Sequence, residues 1–424
     1  MIETQARAER AYLLGVVLPG ERLERTQDQL RELGELTRTA GGEVLATELQ
    51  RRQAVEPTFF VGRGKVAEIK ARKAELGYDL VICNEDLSPR QQRNLEKELE
   101  TRVVDRTELI LDIFAQHART HEGRLQVESA QLHHLLPRLI GAWDYHRQGG
   151  GIGTRGGPGE QQIEVERRRI RKRLKDLDGE LEQVRGQRQQ QRASRHRSQI
   201  DTIAIVGYTN AGKSTLLNAL TGASVRAENQ LFATLDPTTR RLALPGGREV
   251  LITDTVGFIQ KLPTDLVAAF RATLEEVTYA DAVLQVVDGS SPAAQEQARA
   301  VDQVLEELGA AGKPRVVALN KVDLLGPASL RRVRQWFSDR YANVVPISAL
   351  ERGGLDQLGE AVHALADADM VPLQLLVPYG RESVLRELRS IGGVERTEYT
   401  EAGTRALGRA PRAALHRFQG YLVG

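Results

Sequence analysis

With 424 residues the chain has room for about three domains, and 41% apolar against 27% charged residues is an ordinary globular composition, which excludes a fibrous or disordered protein. The single cysteine, Cys83, excludes a disulfide framework and reads as a small buried core residue; no apolar run approaches the roughly 18 residues of a membrane span, and the polar start MIETQARAER does not read as a signal peptide, so the expected location is cytoplasmic. A net charge of +2 assigns no partner until its distribution along the chain is known.

From residue 11 to about 118, strand and helix patterns alternate. YLLGVVLP predicts a strand, RTQDQLRELGELTRTAGG a helix closing on glycines, EVLATEL a strand and GKVAEIKARKAEL a helix. DLVICNE, RVVDRT and the helices PRQQRNLEKELET and ELILDIFAQHA continue the series, the first of these helices with proline at its opening. Such alternation implies parallel strands joined by helical crossovers, hence a small N-terminal α/β domain over 1–118. Within it, Arg63, Gly64 and Lys65 of FFVGRGK lack the spacing of a phosphate loop, so a structural or RNA-docking role is expected, with a second nucleotide site as the alternative.

Over 119–198 the period changes. Leu125, Leu132, Leu136 and Leu139 share one helical face; then Ile163, Ile170, Leu174, Leu177, Leu181 and Val184 recur at spacings of 7, 4, 3, 4 and 3. The two seams predict an antiparallel helical hairpin. Its tip, RQGGGIGTRGGPGE, contains a literal G-x-G-x-x-G at Gly151, Gly153 and Gly156. A dinucleotide fingerprint needs a strand before it, and here helix lies on both sides, so the match fails. Residues 141–160 hold eight glycines with Trp143, Tyr145, His146, Arg147 and Arg155, and residues 147–197 hold 14 Lys or Arg against 7 Asp or Glu, about +7. A basic arm with a thin glycine tip suits RNA phosphates, and an aromatic ring there can stack on an exposed base.

The α/β alternation returns over 199–366 with IDTIAIVG, REVLITDT, DAVLQVVDG, PRVVALNK and ANVVPISAL. Gly207, Tyr208, Thr209, Asn210, Ala211, Gly212, Lys213 and Ser214 form G-x-x-x-x-G-K-S between a strand and a helix that continues through Thr215. In that context the backbone N–H groups cradle phosphates, Lys213 reaches the β- and γ-phosphates and Ser214 ligates Mg²⁺. Asp254, Thr255, Val256 and Gly257 end the next strand, where the carboxylate can hold the metal through water and the Gly257 N–H can meet the γ-phosphate. Asn320, Lys321, Val322 and Asp323 follow, and a carboxylate there accepts two N–H bonds from the N1 and N2 edge of guanine, which adenine cannot offer. Ser348, Ala349 and Leu350 can close over the base. Four motifs in this order, all at carboxyl ends of predicted strands, point to GTP and GDP as ligands. The remaining 367–424 reads as a small α+β C-terminal domain.

Segment 200–366 looks like a Ras-type GTPase domain of the translation-factor class, and the stretch from 102 to about 170 (VVDRTELILDIFAQHARTHEGRLQVESAQLHHLLPRLIGAW, then GGGIGTRGGPGE and IEVERRRIRKRL) closely resembles the HflX family. The resemblance implies a fold of α/β domains around an open, mostly parallel sheet. It also implies a monomeric, ribosome-associated GTPase that binds the large subunit and its rRNA and separates stalled or idle ribosomes. The alternative function is a general RNA-binding or remodelling protein whose GTPase is regulatory. The chain departs from the family in the loop TRGGPGE and at Gln161, where threonine is expected. By the same resemblance Phe232, Ala233, Thr234, Leu235 and Asp236 form switch I, with Thr234 the second Mg²⁺ ligand. Phe258 stands where Ras-like enzymes carry a water-orienting glutamine, so either Phe258 packs in a loop while another residue positions the water or, the favoured reading, hydrolysis is slow until a partner orders the site. Relatives with asparagine at the position of Asn210 and an apolar residue after DxxG can use K⁺ beside the phosphates.

Overall fold

A computed structural model of the protein describes residues 8–148, 158–198, 201–222, 231–232, 236–244, 249–259, 271–367 and 370–423. These fall into two compact units: one runs to Val184 and takes in Leu231 and Phe232, and the other holds the rest.

In the first unit, β1 (Arg10–Val17), β2 (Glu43–Arg51), β3 (Leu80–Cys83) and β4 (Arg102–Asp105) form a parallel sheet in the order β2-β1-β3-β4. The apolar run of β1 is buried on both faces, as a parallel strand covered by helices requires. Helices α1 (Leu23–Thr39), α2 (Arg63–Leu76) and α3 (Pro89–Leu99) make the crossovers, and α4 (Arg106–His117) follows β4. Ser88 and Gln91 close a capping box at the start of α3, with Pro89 at its first position. Cys83 is fully buried, and burial pushes its thiol pKa well above the ordinary value, so it is a core residue. Lys65 of FFVGRGK is held by Glu48 at 2.7 Å and by Glu68.

Helix α5 (His121–Gln148) is anchored on this sheet through Asp105, the N-cap of α4. That buried carboxylate accepts from the Glu108 N–H at 2.9 Å and the Leu87 N–H at 3.2 Å, with His134 at 3.4 Å and Arg138 also on it. Burial alone would raise its pKa, but the His134 hydrogen bond and the Arg138 charge outweigh burial and hold it below the usual carboxylate range. Helix α6 (Pro158–Ser198) is joined to α5 by a bidentate contact, Nε and Nη2 of Arg173 each donating to the Glu128 carboxylate at 2.7 Å. Leu125 of α5 and Leu174 and Leu177 of α6 are buried, as the leucine seams predict. The tip residues 149–157 lie outside the described residues, as do the side chains of Trp143, Tyr145, His146, Arg147 and Gln161.

The second unit is built on a six-stranded sheet in the order β10-β9-β8-β5-β7-β6, comprising β5 (Thr202–Gly207), β6 (Thr238–Ala243), β7 (Glu249–Asp254), β8 (Ala282–Asp288), β9 (Arg315–Asn320) and β10 (Val344–Pro346). Only β6 is antiparallel. One face carries Ile203, Ile205, Leu284 and Val316 against α7 (Lys213–Thr221) and α11 (Leu355–Ala366). The other carries Val287, Val317 and Leu319 against α9 (Ala294–Glu307) and α10 (Pro327–Ser338), with α8 (Arg271–Tyr279) preceding β8. Because five strands are parallel, their carboxyl ends share one edge, with β5 between the strands that follow it on either side. The chain ends in β11 (Met370–Val377), α12 (Glu382–Ile391), β12 (Val394–Thr400) and β13 (Gly403–Pro411). These form an antiparallel sheet in the order β11-β13-β12 around Leu375, Leu388, Ala406 and Phe418. This is the α/β architecture with a small α+β end that the sequence patterns predict. Among the described residues no helix is long and apolar enough to cross a membrane.

Candidate functional site

The loop from Gly207 to Gly212 leaves the carboxyl end of β5 and feeds α7 at Lys213. Two glycines are dictated by backbone geometry. Gly207 has φ 155°, and a Cβ there would stand 2.3 Å from the Val286 carbonyl oxygen of β8; Gly212 has φ 94°, and its Cβ would stand 2.3 Å from Nδ2 of Asn320. With glycine as its N-cap, α7 presents the N–H groups of its first turn without an intrahelical acceptor, a positive helix end suited to phosphate oxygens. Asn210 adopts a left-handed φ of 59°, which asparagine tolerates better than most residues.

Lys213 is buried, and its Nζ donates to the Tyr208 carbonyl at 3.0 Å. Burial pushes its pKa down to about 8, against the opposing pull of Asp254. The Ser214 hydroxyl donates to Oδ2 of Asp254 at 2.7 Å, so the helix start and the end of β7 already meet. Thr255 donates its hydroxyl to the Ile205 carbonyl at 2.7 Å, pinning the DTVG loop to β5. A Cβ on Gly257 would fall 2.8 Å from both Lys213 Nζ and the Thr209 side chain, so only glycine leaves this cradle open. Beside it, the buried Thr209 hydroxyl has no hydrogen-bond partner among the described residues. An orphaned hydroxyl, a desolvated ammonium and an open helix start converge on one concavity, and they fit a phosphate chain. Among the described residues no three acidic, histidine or cysteine side chains cluster.

Phe258 is buried, and its backbone continues the ladder. Its N–H donates to the Gly207 carbonyl at 3.1 Å and its carbonyl accepts from the Thr209 N–H at 2.7 Å. The side chain therefore packs in the core while the backbone ties the DTVG loop to the phosphate loop.

Asn320 is buried at the end of β9 and joins two loops: its amide donates to the Ala211 carbonyl at 2.8 Å and its carbonyl accepts from the Ala349 N–H at 2.9 Å. Lys321, at φ 61°, pairs with Asp288 at 2.8 Å. Asp323 sits exposed in a single 3₁₀ turn, Val322–Leu324. The Ser348 hydroxyl accepts from the Glu351 N–H at 3.1 Å, and Leu350 is 80% exposed. Asp323 and Leu350 are thus exposed on the loops that follow β9 and β10, while Asn320 beneath them is buried.

The structure therefore brings the GxxxxGKS, DTVG, NKVD and SAL residues to one edge of the sheet. Of the FATLD stretch, Ala233, Thr234 and Leu235 lie outside the described residues. Phe232 is buried at a left-handed φ of 57°, its ring edge-on to that of Phe114 at 4.6 Å, which is a packing role. Asp236 is partly exposed at the approach to β6. Sequence reasoning missed Asp288, although VLQVVD ends at the residue paired with Asn320 in the parallel register. It also missed the double tie made by Asn320, which no motif spacing records.

Family models match over three stretches: GTP-binding GTPase N-terminal at residues 27–115, GTP-binding GTPase Middle Region at 117–195 and 50S ribosome-binding GTPase at 202–321. The GTPase HflX of Caldanaerobacter subterraneus subsp. tengcongensis is 47% identical over 93% of this chain and 89% of its own. That of Escherichia coli K12 is 43% identical over 91% and 90%. A solved GTP-binding protein of Sulfolobus solfataricus, in complex with GDP, is 27% identical over 84% of this chain and 98% of its own, with a TM-score of 0.46.

Proposed function

This chain belongs to the HflX family of GTPases, and from that premise we propose that it is a ribosome-associated factor, binding the large subunit in its GTP state and separating stalled or idle ribosomes. It is a guanine-nucleotide-binding enzyme that hydrolyses GTP. The assignment of its groups is our own. The Asn210, Gly212 and Lys213 N–H groups and the Lys213 ammonium receive the phosphates; the Asp323 carboxylate selects guanine; Leu350 covers the base. Ser214, joined to Asp254 at 2.7 Å, would hold Mg²⁺ together with Thr234. That ion would neutralise charge on the phosphate oxygens during transfer.

Phe258 stands where Ras-like enzymes carry the water-orienting glutamine. Phe258 cannot hydrogen-bond water, and it is buried with its backbone tied to Gly207 and Thr209. The domain is thus built to hydrolyse slowly until a partner orders the site, and partner-supplied groups in GTPases are worth about 10³ to 10⁵ in rate. Asn210 at the mouth of the loop supports a K⁺ ion beside the phosphates; equal rates in Na⁺ and K⁺ would remove that assignment.

The observation that carries the ribosome reading is the basic arm, about +7 over residues 147–197 while the rest of the chain is near −5. The description of the matched GTPase family as 50S ribosome-binding supports it. We divide the chain accordingly: an N-terminal domain over 1–118, the arm over 119–198, the GTPase over 199–366 and the C-terminal domain over 367–424. Pelleting with purified large subunits tests the reading. Retention with a non-hydrolysable GTP analogue and release with GDP are expected; equal retention with both would remove the mechanism.

A further inference from the structure

Helix α10, PASLRRVRQWFS, carries three arginines and no acidic residue. Arg331, Arg332 and Arg334 are all exposed, and none forms an ion pair among the described residues. The one nearby acid in sequence, Asp339, already accepts from the Gln335 amide at 2.7 Å. Three neighbouring guanidinium groups repel one another, so a helix that keeps them unpaired gains by meeting an anionic surface.

What lies beside them narrows the partner. Four residues after Arg332, and so on the same face, is Trp336, partly exposed, with the Arg299 guanidinium of α9 5.6 Å from its ring. Trp336 meets Phe337 edge-on at 4.8 Å, and Phe337 stacks on Tyr341 at 5.9 Å. The guanidinium groups of Arg315 and Arg340 each lie 5.8 Å from the Tyr341 ring. A single carboxylate, Asp302, serves Arg315, Arg340 and the Tyr341 hydroxyl together. The seam between α9 and α10 is thus a ladder of arginines and aromatic rings joined through Asp302, and its end opens into a groove of mixed charge lined by Asp302, Glu306, Lys313, Arg315, Arg340 and Tyr341.

We propose that the arginine face of α10, Arg331, Arg332 and Arg334, is a second RNA-contact surface in addition to the basic arm, docking on the phosphate backbone of an RNA stem. An acidic protein would supply charge as well, but protein interfaces draw their energy from apolar and aromatic anchors at the centre. The exposed positions of α10 after its first turn are Arg331, Arg332, Arg334, Gln335 and Ser338, which offer phosphate donors, while Trp336 on that face is partly buried with the Arg299 guanidinium over its ring and offers little open apolar surface. Identifying the RNA as ribosomal rests on the function proposed above; the phosphate chemistry does not.

The test uses the full chain carrying R331Q, R332Q and R334Q together, changes that keep helix propensity and lie on the surface. GDP affinity and melting temperature equal to wild type show that the fold and the nucleotide site are intact. Binding to large subunits with a GTP analogue is then measured at several salt concentrations. The slope of log affinity against log salt is expected to fall by about 2 to 3, and affinity at low salt by at least about tenfold. The corresponding triple lysine variant, which retains the charge, should keep the wild-type slope. An unchanged slope in the glutamine variant, with wild type binding normally, overturns the inference and leaves the ribosome reading standing. If wild type does not bind subunits, that reading fails, and a short RNA hairpin replaces them as probe. The same loss of slope then supports phosphate docking, and equal slopes overturn it. Loss of subunit binding without any loss on protein-free RNA assigns the face to an acidic protein and overturns the RNA assignment.

Discussion

Raising the pH from 7 to 9 isolates what the buried Lys213 ammonium does for phosphate binding. In the ligand-free protein, burial pushes its pKa down to about 8, with Asp254 pulling the other way. Phosphates beside the ammonium favour its charged form, so the pKa is higher in the complex. At pH 7 the lysine is charged in both states and affinity is flat. Above pH 8 the free protein must take up a proton as nucleotide binds, so affinity falls as pH rises, by up to about tenfold per unit. For a free-state pKa of about 8, the charged fraction drops from about nine-tenths at pH 7 to about one-tenth at pH 9, and the Kd for GDP should rise about tenfold. Titration with a fluorescent GDP analogue reads the affinity. Calorimetry in two buffers of different ionisation enthalpy should find about half a proton taken up per GDP at pH 8. A Lys213→Arg variant keeps its charge throughout this range and binds the same guanine, so it should bind more weakly but without the pH slope. Wild-type affinity that stays flat from pH 7 to 9, with no proton uptake, would refute the reasoning.

Two substitutions probe the rest of the site. Asp323→Asn, at the exposed turn after β9, removes a charged acceptor from the guanine N–H edge and should weaken GDP by about 10- to 100-fold while leaving the melting temperature unchanged; equal affinity would remove its assignment. Phe258→Gln would supply the amide that Ras-like enzymes use, but at a buried position. It should cost about 3 kcal/mol or more in unfolding free energy and leave basal hydrolysis no faster, so a tenfold faster rate would contradict the account.

The sequence made the phosphate loop legible because GxxxxGKS constrains backbone conformation at fixed spacing, and Gly207 and Gly212 do adopt positive φ. The parallel strands were legible because strands buried on both faces, such as LVIC and RVVALN, read as continuous apolar runs. β6 escaped notice because TTRRLA is an antiparallel edge strand, mostly polar, with one strand neighbour among the described residues. The tie between Asn320, Ala211 and Ala349 escaped because it joins residues up to 109 positions apart, and local patterns carry no information at that range. The anchoring of α5 on Asp105 by His134 and Arg138 was invisible for the same reason. Leucine spacing predicts that α5 has a packed face, not which buried carboxylate fixes it.

The most direct test of the account is the rate of GTP hydrolysis with and without purified large ribosomal subunits, in K⁺ buffer. A site with Phe258 in place of the water-orienting glutamine, completed by its partner, should turn over about a hundredfold or more faster when the subunits are present. The same slow rate in both conditions, with GTP still bound tightly, would contradict the claim that the ribosome completes this enzyme.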